Sequence, residues 1–226
     1  MAHKGKMIEM TMVDGAKLGV YRVEPKGVRR GGLVLIQEIF GVTEHIKECC
    51  DRFAAEGYEV LAPALYDREA PGLQASYTPE DIQKCVKIAR EQHPLDLSVF
   101  DAKTCIDALH GKGPVFITGY CYGGSISWLA ACRLPGLAAA SGYYGSLIPA
   151  HAHEQPRCPV ILHFGQHDAG IPLEGVEKVK AAHPDVPVYI YDAGHGFNSD
   201  RRSDYNEAAA KLARQRTLEL FRANGG

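Results

Sequence analysis

The chain has no stretch of apolar residues long enough to span a bilayer, so no membrane-crossing helix is expected. Its first residues, Met1 to Ile8, contain no apolar core of the kind a secretory signal needs. Neither sign of charge dominates. Lys and Arg number 25, Asp and Glu 27, and the net charge of −2 gives no footprint for a nucleic acid or a membrane surface. The seven cysteines include no CxxC pair and are scattered, with Cys49, Cys50 and Cys85 in helix-like stretches. Reduced thiols and a cytoplasmic location are expected from that pattern. There is no HExxH motif. His151 and His153, and His163 and His167, are the closest approach to metal-ligand spacing, and neither pair has a supporting Cys or Asp cluster. No metal and no cofactor are therefore expected. With no internal repeat, low-complexity tract or linker, residues 1–226 read as one domain.

What is present is a series of short apolar runs alternating with helical periodicity. Ile8–Met12 and Leu18–Val23 read as a hairpin turning at Asp14-Gly15. Leu33–Glu38 and Tyr58–Leu65 read as strands, separated by a helix with Thr43 as its cap and Gly57 as its stop. Residues 67–80 are rich in Pro, Gly, Ser and charge and read as a functional loop over a site. Helices are expected from Pro79 to about Glu91 and from Asp96 to His110, then a strand at Val115–Thr118 with a helix after it. Strands at Leu137–Tyr144, Pro159–Phe164 and Val186–Tyr191 follow, with a helix at Leu173–Ala182 and a last one from about Asp204 to Phe221. Strands apolar along their whole length, alternating with helices, predict an α/β fold with a mostly parallel central sheet and helices on both faces.

The most informative stretch is Gly119-Tyr120-Cys121-Tyr122-Gly123, which joins a strand directly to a helix. That is the setting of a nucleophile elbow, written G-x-C-x-G. The flanking glycines admit a sharply bent backbone, and the turn aims the first N–H groups of the next helix at whatever binds there. Cys121 could instead be one small core thiol among seven; the strand, glycines and helix around it favour a nucleophile. Ligands of open α/β sheets sit outside the carboxyl ends of the strands. Glu38, Cys121, Asp168 and His195 all fall on such ends, in the order nucleophile, acid, histidine that the α/β-hydrolase fold uses. Cys121 would attack a carbonyl, His195 would move the proton, and Asp168 would fix the imidazole. Asp192 is a rival acid but lies only three residues before the histidine. The expected oxyanion donors are the backbone N–H groups of Tyr122 and Ile39.

Gln37-Glu38-Ile39-Phe40-Gly41, Gly119 to Gly124, Gly142-Tyr143-Tyr144-Gly145, Asp168 and the Gly194-His195-x-Phe197 loop together resemble the dienelactone hydrolases, or carboxymethylenebutenolidases, over residues 8–221. The resemblance implies an α/β-hydrolase fold, a Cys-Asp-His triad, and a glutamate beside the cysteine at Glu38. It implies hydrolysis of an ester or lactone in aromatic-compound breakdown, with an anionic dienelactone as type substrate. Phe40, Tyr144 and Phe197 are expected around the substrate. Two arginines of the family are absent. Ser199 stands at the first position, and Gln83 or Lys84 at the second. Arg68, Arg201, Arg202 and Lys87 are the basic residues expected to substitute, Arg68 and Arg201 foremost.

The leading expectation is a cysteine-dependent hydrolase of small esters or lactones, working as a monomer or weak homodimer. A thioesterase or acyl hydrolase for a neutral substrate is the second, favoured by the missing arginines. A catalytically silent small-ligand binder is the third, and no triad member is missing to support it.

Overall fold

The computed structural model describes residues 4–226. Strands β1 (Lys6–Thr11) and β2 (Lys17–Val23) form an antiparallel hairpin in which Lys6 faces Arg22 and Thr11 faces Lys17. At its turn Gly15 takes φ 85°, and Asp14 Oδ1 accepts the N–H of Ala16, a local bond that closes the bend. β3 (Gly31–Ile36), β4 (Tyr58–Pro63), β5 (Val115–Tyr120), β6 (Ala139–Tyr143), β7 (Val160–Gly165) and β8 (Val188–Tyr191) complete an eight-stranded sheet. Its order is β1-β2-β4-β3-β5-β6-β7-β8, and β2 meets β4 antiparallel while every later pairing is parallel.

Every residue of β3, β4, β5, β6 and β7 is buried, which is why these segments are mostly apolar rather than alternating, with Glu59, Thr118, Ser141 and His163 as the buried polar exceptions. Helix α1 (Glu44–Ala55) and helix α6 (Glu207–Ala223) cover one face. There Phe116 stacks on Phe221 at 4.6 Å, and Tyr58 and Phe53 close around the same ring. Truncating a buried aromatic of this kind costs about 3–5 kcal/mol. Helix α3 (Leu95–Leu109) and helix α4 (Tyr122–Arg133) cover the other face, where Gly32 of β3 leaves the room that Leu109 occupies. Helices α2 (Pro79–Lys87) and α5 (Leu173–Ala182) complete the set.

Three local expectations change. Thr43 occupies the cap position of α1 but makes no capping bond, and its buried hydroxyl has no partner. The last helix starts at Glu207 instead of Asp204, because the Asn206 side chain accepts the N–H of Ala209 and sets the start there. The helix expected to run to Glu91 leaves the α register after Lys87. Residues Ile88–Gln92 form a π turn, closed by the His93 N–H donating to the Ile88 carbonyl at 2.9 Å. Pro94 follows, and the residue before a proline is pushed to extended backbone, which His93 adopts. Among the described residues no helix is long and apolar enough to cross a membrane.

Candidate active site

β5 delivers Cys121 to the N-terminus of α4 with φ 55°, a conformation costly for a residue with a side chain. The glycines around it make that turn possible. A Cβ on Gly119 would sit 2.3 Å from the Gly123 carbonyl oxygen, one on Gly123 2.3 Å from that of Ile36, and one on Gly124 2.2 Å from that of Tyr143. Backbone therefore packs directly on backbone between α4 and the ends of β3, β5 and β6. The Cys121 N–H donates to the Tyr143 carbonyl, anchoring the bend to the next strand.

His195 reaches the elbow from the loop after β8. Its Nε2 lies 3.1 Å from Cys121 Sγ and its Nδ1 2.6 Å from Asp168 Oδ2. Asp168 follows β7, its side chain is wholly buried, and its other oxygen accepts the N–H of Gly170 at 2.8 Å. A carboxylate held at both oxygens assigns the imidazole proton to Nδ1 and turns Nε2 to the sulfur. Burial works against a charge on His195. The Cys121 thiolate and the Asp168 carboxylate more than offset it, raising the imidazole to about 10. Asp192, the rival acid, pairs instead with His167 at 2.6 Å on the surface.

Glu38, two residues beyond β3, is almost completely buried. It makes no hydrogen bond to the Cys121 thiol. The sulfur is taken by His195, Glu38 Oε2 receives the Tyr77 hydroxyl at 3.4 Å, and Oε1 has no partner. Burial holds the Glu38 carboxyl above the usual range, opposed by Arg202, His195 and Tyr77.

A cavity of about 860 Å³ opens on this row. Cys121, Asp168 and His195 lie on its wall together with Ile39 and Tyr122, whose N–H groups were expected to meet an oxyanion. Phe40, Tyr144 and Phe197 are fully buried behind the site instead of lining it. Their rings form its backing: Tyr144 lies 5.2 Å from the His195 ring and 5.1 Å from Phe197, and Phe40 packs edge-on against Tyr77. The basic residues are engaged elsewhere. Arg68 is gripped by Asp101 and Asp14, and Arg201 by Glu48 and Asp200. Neither lines the cavity: Arg68 is taken by two acids remote in sequence, and Arg201 by remote Glu48 and by its neighbour Asp200. Arg202 lies over the Tyr77 ring, and Lys84 and Lys87 border a separate hollow.

Residues not singled out from the sequence form much of the cavity. The π turn supplies Ala89, Arg90, Glu91 and Gln92, and the loop after β6 supplies Ser146 and Leu147. Buried His93 bonds Glu69 at 3.1 Å and Ser98 at 2.9 Å, and Ser98 bonds the Tyr122 hydroxyl at 2.9 Å. The only signal of the π turn was the His93-Pro94 step. Among the described residues no group of three or more His, Cys, Asp or Glu is arranged to hold a metal ion.

Comparison with known proteins places this geometry. A family model described as the dienelactone hydrolase family matches residues 18–225. A provisionally named carboxymethylenebutenolidase of Salmonella typhimurium strain LT2 is 36% identical over 235 residues, covering 94% of this chain and 85% of its own length. Carboxymethylenebutenolidase 1 of Cupriavidus pinatubonensis is 28% identical over 230 residues, 95% of each protein. The crystal structure of a provisionally named dienelactone hydrolase from Klebsiella pneumoniae subsp. pneumoniae matches with a TM-score of 0.81 and 31% identity, over 96% of this chain and 98% of that one. The family model spans both the elbow and the histidine loop, and the chain belongs to the dienelactone hydrolase family, hydrolases of the α/β-hydrolase fold.

Proposed function

We propose that the protein hydrolyses small esters or lactones with Cys121 as covalent nucleophile. One observation carries the reading: a cysteine at φ 55° on a helix N-terminus, 3.1 Å from an imidazole whose other nitrogen is 2.6 Å from a buried carboxylate. In the proposed reaction the Cys121 thiolate adds to the substrate carbonyl, and the carbonyl π electrons move onto oxygen. The N–H groups of Tyr122 and Ile39 receive that oxyanion. Collapse breaks the ester C–O bond, and His195 Nε2 gives its proton to the departing alkoxide, leaving a thioester on Cys121. Water then loses a proton to His195 and adds to the thioester carbonyl. The second collapse frees the thiolate and a carboxylic acid; for a lactone the acid and alcohol stay in one molecule. Glu38 takes part through its charge, which supports the neighbouring imidazolium and opposes the thiolate.

The test is turnover of p-nitrophenyl acetate and of a lactone panel by wild type and Cys121→Ala, with and without iodoacetamide. Loss of turnover in step with alkylation of Cys121 is expected. Full activity in Cys121→Ala would overturn the proposal, and a folded wild type that binds but never turns over any ester would favour a silent ligand binder. A neutral substrate, thioesters included, is the second reading; it is favoured by the engagement of Arg68 and Arg201 away from the cavity.

A further inference from the structure

Glu38 has an unusual set of partners for a buried carboxylate. Oε1 has none, and Oε2 has only the Tyr77 hydroxyl at 3.4 Å. That hydroxyl lies 3.2 Å from Ser199 Oγ, and Ser199 is fully buried. The Tyr77 ring is held independently of its hydroxyl. Phe40 meets it edge-on at 4.7 Å, and the Arg202 guanidinium lies 5.6 Å from its centroid. Tyr77 immediately precedes Thr78, the cap of α2, whose side chain accepts the Asp81 N–H and fixes the chain there.

The number of protons gives this row a direction. A phenol has one proton, and an ionised carboxylate only accepts. When Tyr77 donates to Glu38, it can only accept from Ser199, so the row runs from Ser199 through Tyr77 to the carboxylate. A neutral Glu38 would remove the reason for that order. The row therefore favours the charged form against the cost of burial. The groups acting on this charge are Arg202 and His195 from the loop after β8, Tyr77 from the loop before α2, Tyr144 from the end of β6 and Cys49 from α1.

We infer that Tyr77, braced by Ser199, is a positioning residue that supports the charged form of Glu38 and ties its carboxylate to the loop before α2. The inference rests on the reading that Glu38 acts through its charge. It gives a specific role to the end of the 67–80 loop, and one to Ser199 that it did not have from sequence. Tyr77 touches no reacting atom; it acts through Glu38.

The test is the acid limb of kcat/KM for wild type, Tyr77→Phe, Glu38→Gln and the double variant. Tyr77→Phe keeps the ring contacts and removes the donor. Glu38 then protonates more readily, so the acid limb should move to higher pH by about half to one unit, with KM within about twofold. Ser199→Ala should move it the same way by less. Since both act through one carboxylate, the double variant should match Glu38→Gln alone. An unshifted limb in Tyr77→Phe, or losses that multiply in the double variant, would overturn the inference and leave the Glu38 reading standing. A wild-type profile in Glu38→Gln would sink both. Should Tyr77→Phe fail to fold, an unshifted limb in Ser199→Ala overturns the inference by itself.

Discussion

The molecule contains two rows of cysteine, histidine and aspartate with the same connectivity. In one, Cys121 meets His195 Nε2 at 3.1 Å and Asp168 meets Nδ1 at 2.6 Å. In the other, Cys49 meets His45 Nε2 at 3.8 Å and Asp200 lies 3.6 Å from Nδ1. The outcomes are opposite. His195 is raised to about 10, whereas burial depresses His45 to about 4 and pushes Cys49 up to about 11. Connectivity is the same, so three other features decide. Asp168 is buried and its second oxygen is held by a backbone N–H, while Asp200 is part-exposed and shares its charge with Arg201 at 2.7 Å. Cys121 sits at a helix N-terminus, whose dipole favours thiolate, and Cys49 sits within α1. Cys121 opens on a cavity; Cys49 is buried in the core.

The sharpest way to break this comparison is to remove each sulfur. Cys121→Ala should lower kcat by about 10⁶-fold, the loss typical of deleting a nucleophile that works as part of a unit. Cys49→Ala should leave kcat within about threefold, because nothing in the proposed reaction passes through it. Mass spectrometry after brief iodoacetamide treatment should find the label on Cys121 and find Cys49 modified only after unfolding. Early labelling of Cys49 would erase the distinction.

The acids come next. Asp168→Asn should cost about 10⁴ in kcat, since an amide favours the wrong imidazole tautomer. Asp200→Asn and Asp192→Asn should each cost less than about threefold, Asp192 being committed to His167 on the surface. Steady-state kinetics on the three variants decides the matter, and a large loss in either of the last two would mean that the acid is misassigned.

The elbow was legible from sequence because its cause is local: only glycines let the backbone of α4 meet the strand ends. Asp168 and His195 were legible because strand ends in a parallel sheet converge. The second row was not, since it joins Cys49 and His45 on one helix to an aspartate about 150 residues later. Arg68 failed for the same reason. Its partners, Asp14 and Asp101, are 54 and 33 residues away, and no local pattern announces them. The cavity wall was hidden because a π turn has the composition of a helix end. Tyr77 was hidden because its value lies in reaching both Glu38 and Ser199, 122 residues downstream.

Acid should separate the two histidines in stability. The unfolded chain protonates a histidine near 6.5, but folded His45 resists until about 4. Its folded value is depressed, so below about 6.5 the unfolded state binds the extra proton and stability falls until about 4. The loss from His45 alone is about 3 kcal/mol by pH 4. Buried His163, lowered to about 3, adds to it in the same direction. His195 is raised, so its contribution is complete below about 6.5 and is lost as pH climbs through about 10. Denaturant titrations across pH should show His45→Gln with a shallower acid decline than wild type. Parallel declines would mean that His45 is charged in the folded protein.

The smallest expected effect concerns access, the third difference between the rows. Arg90 projects from the π turn on the cavity wall, exposed, and among the described residues no carboxylate pairs with it. Glu91 stands beside it on the same wall, so the local field is mixed. An exposed cation of this kind contributes little, in the range of about 0–1 kcal/mol, and salt weakens it further. Arg90→Ala should therefore raise KM for an anionic ester by about three- to fivefold at low ionic strength, with kcat unchanged. A neutral ester of the same shape should show no change, and about 0.5 M salt should abolish the difference. Arg201→Ala, already spent on Glu48 and Asp200, should leave both substrates unaffected. Equal KM changes for charged and neutral esters in Arg90→Ala would mean that the π turn shapes the cavity without reading charge, and the choice between anionic and neutral substrates would pass to the neutral one.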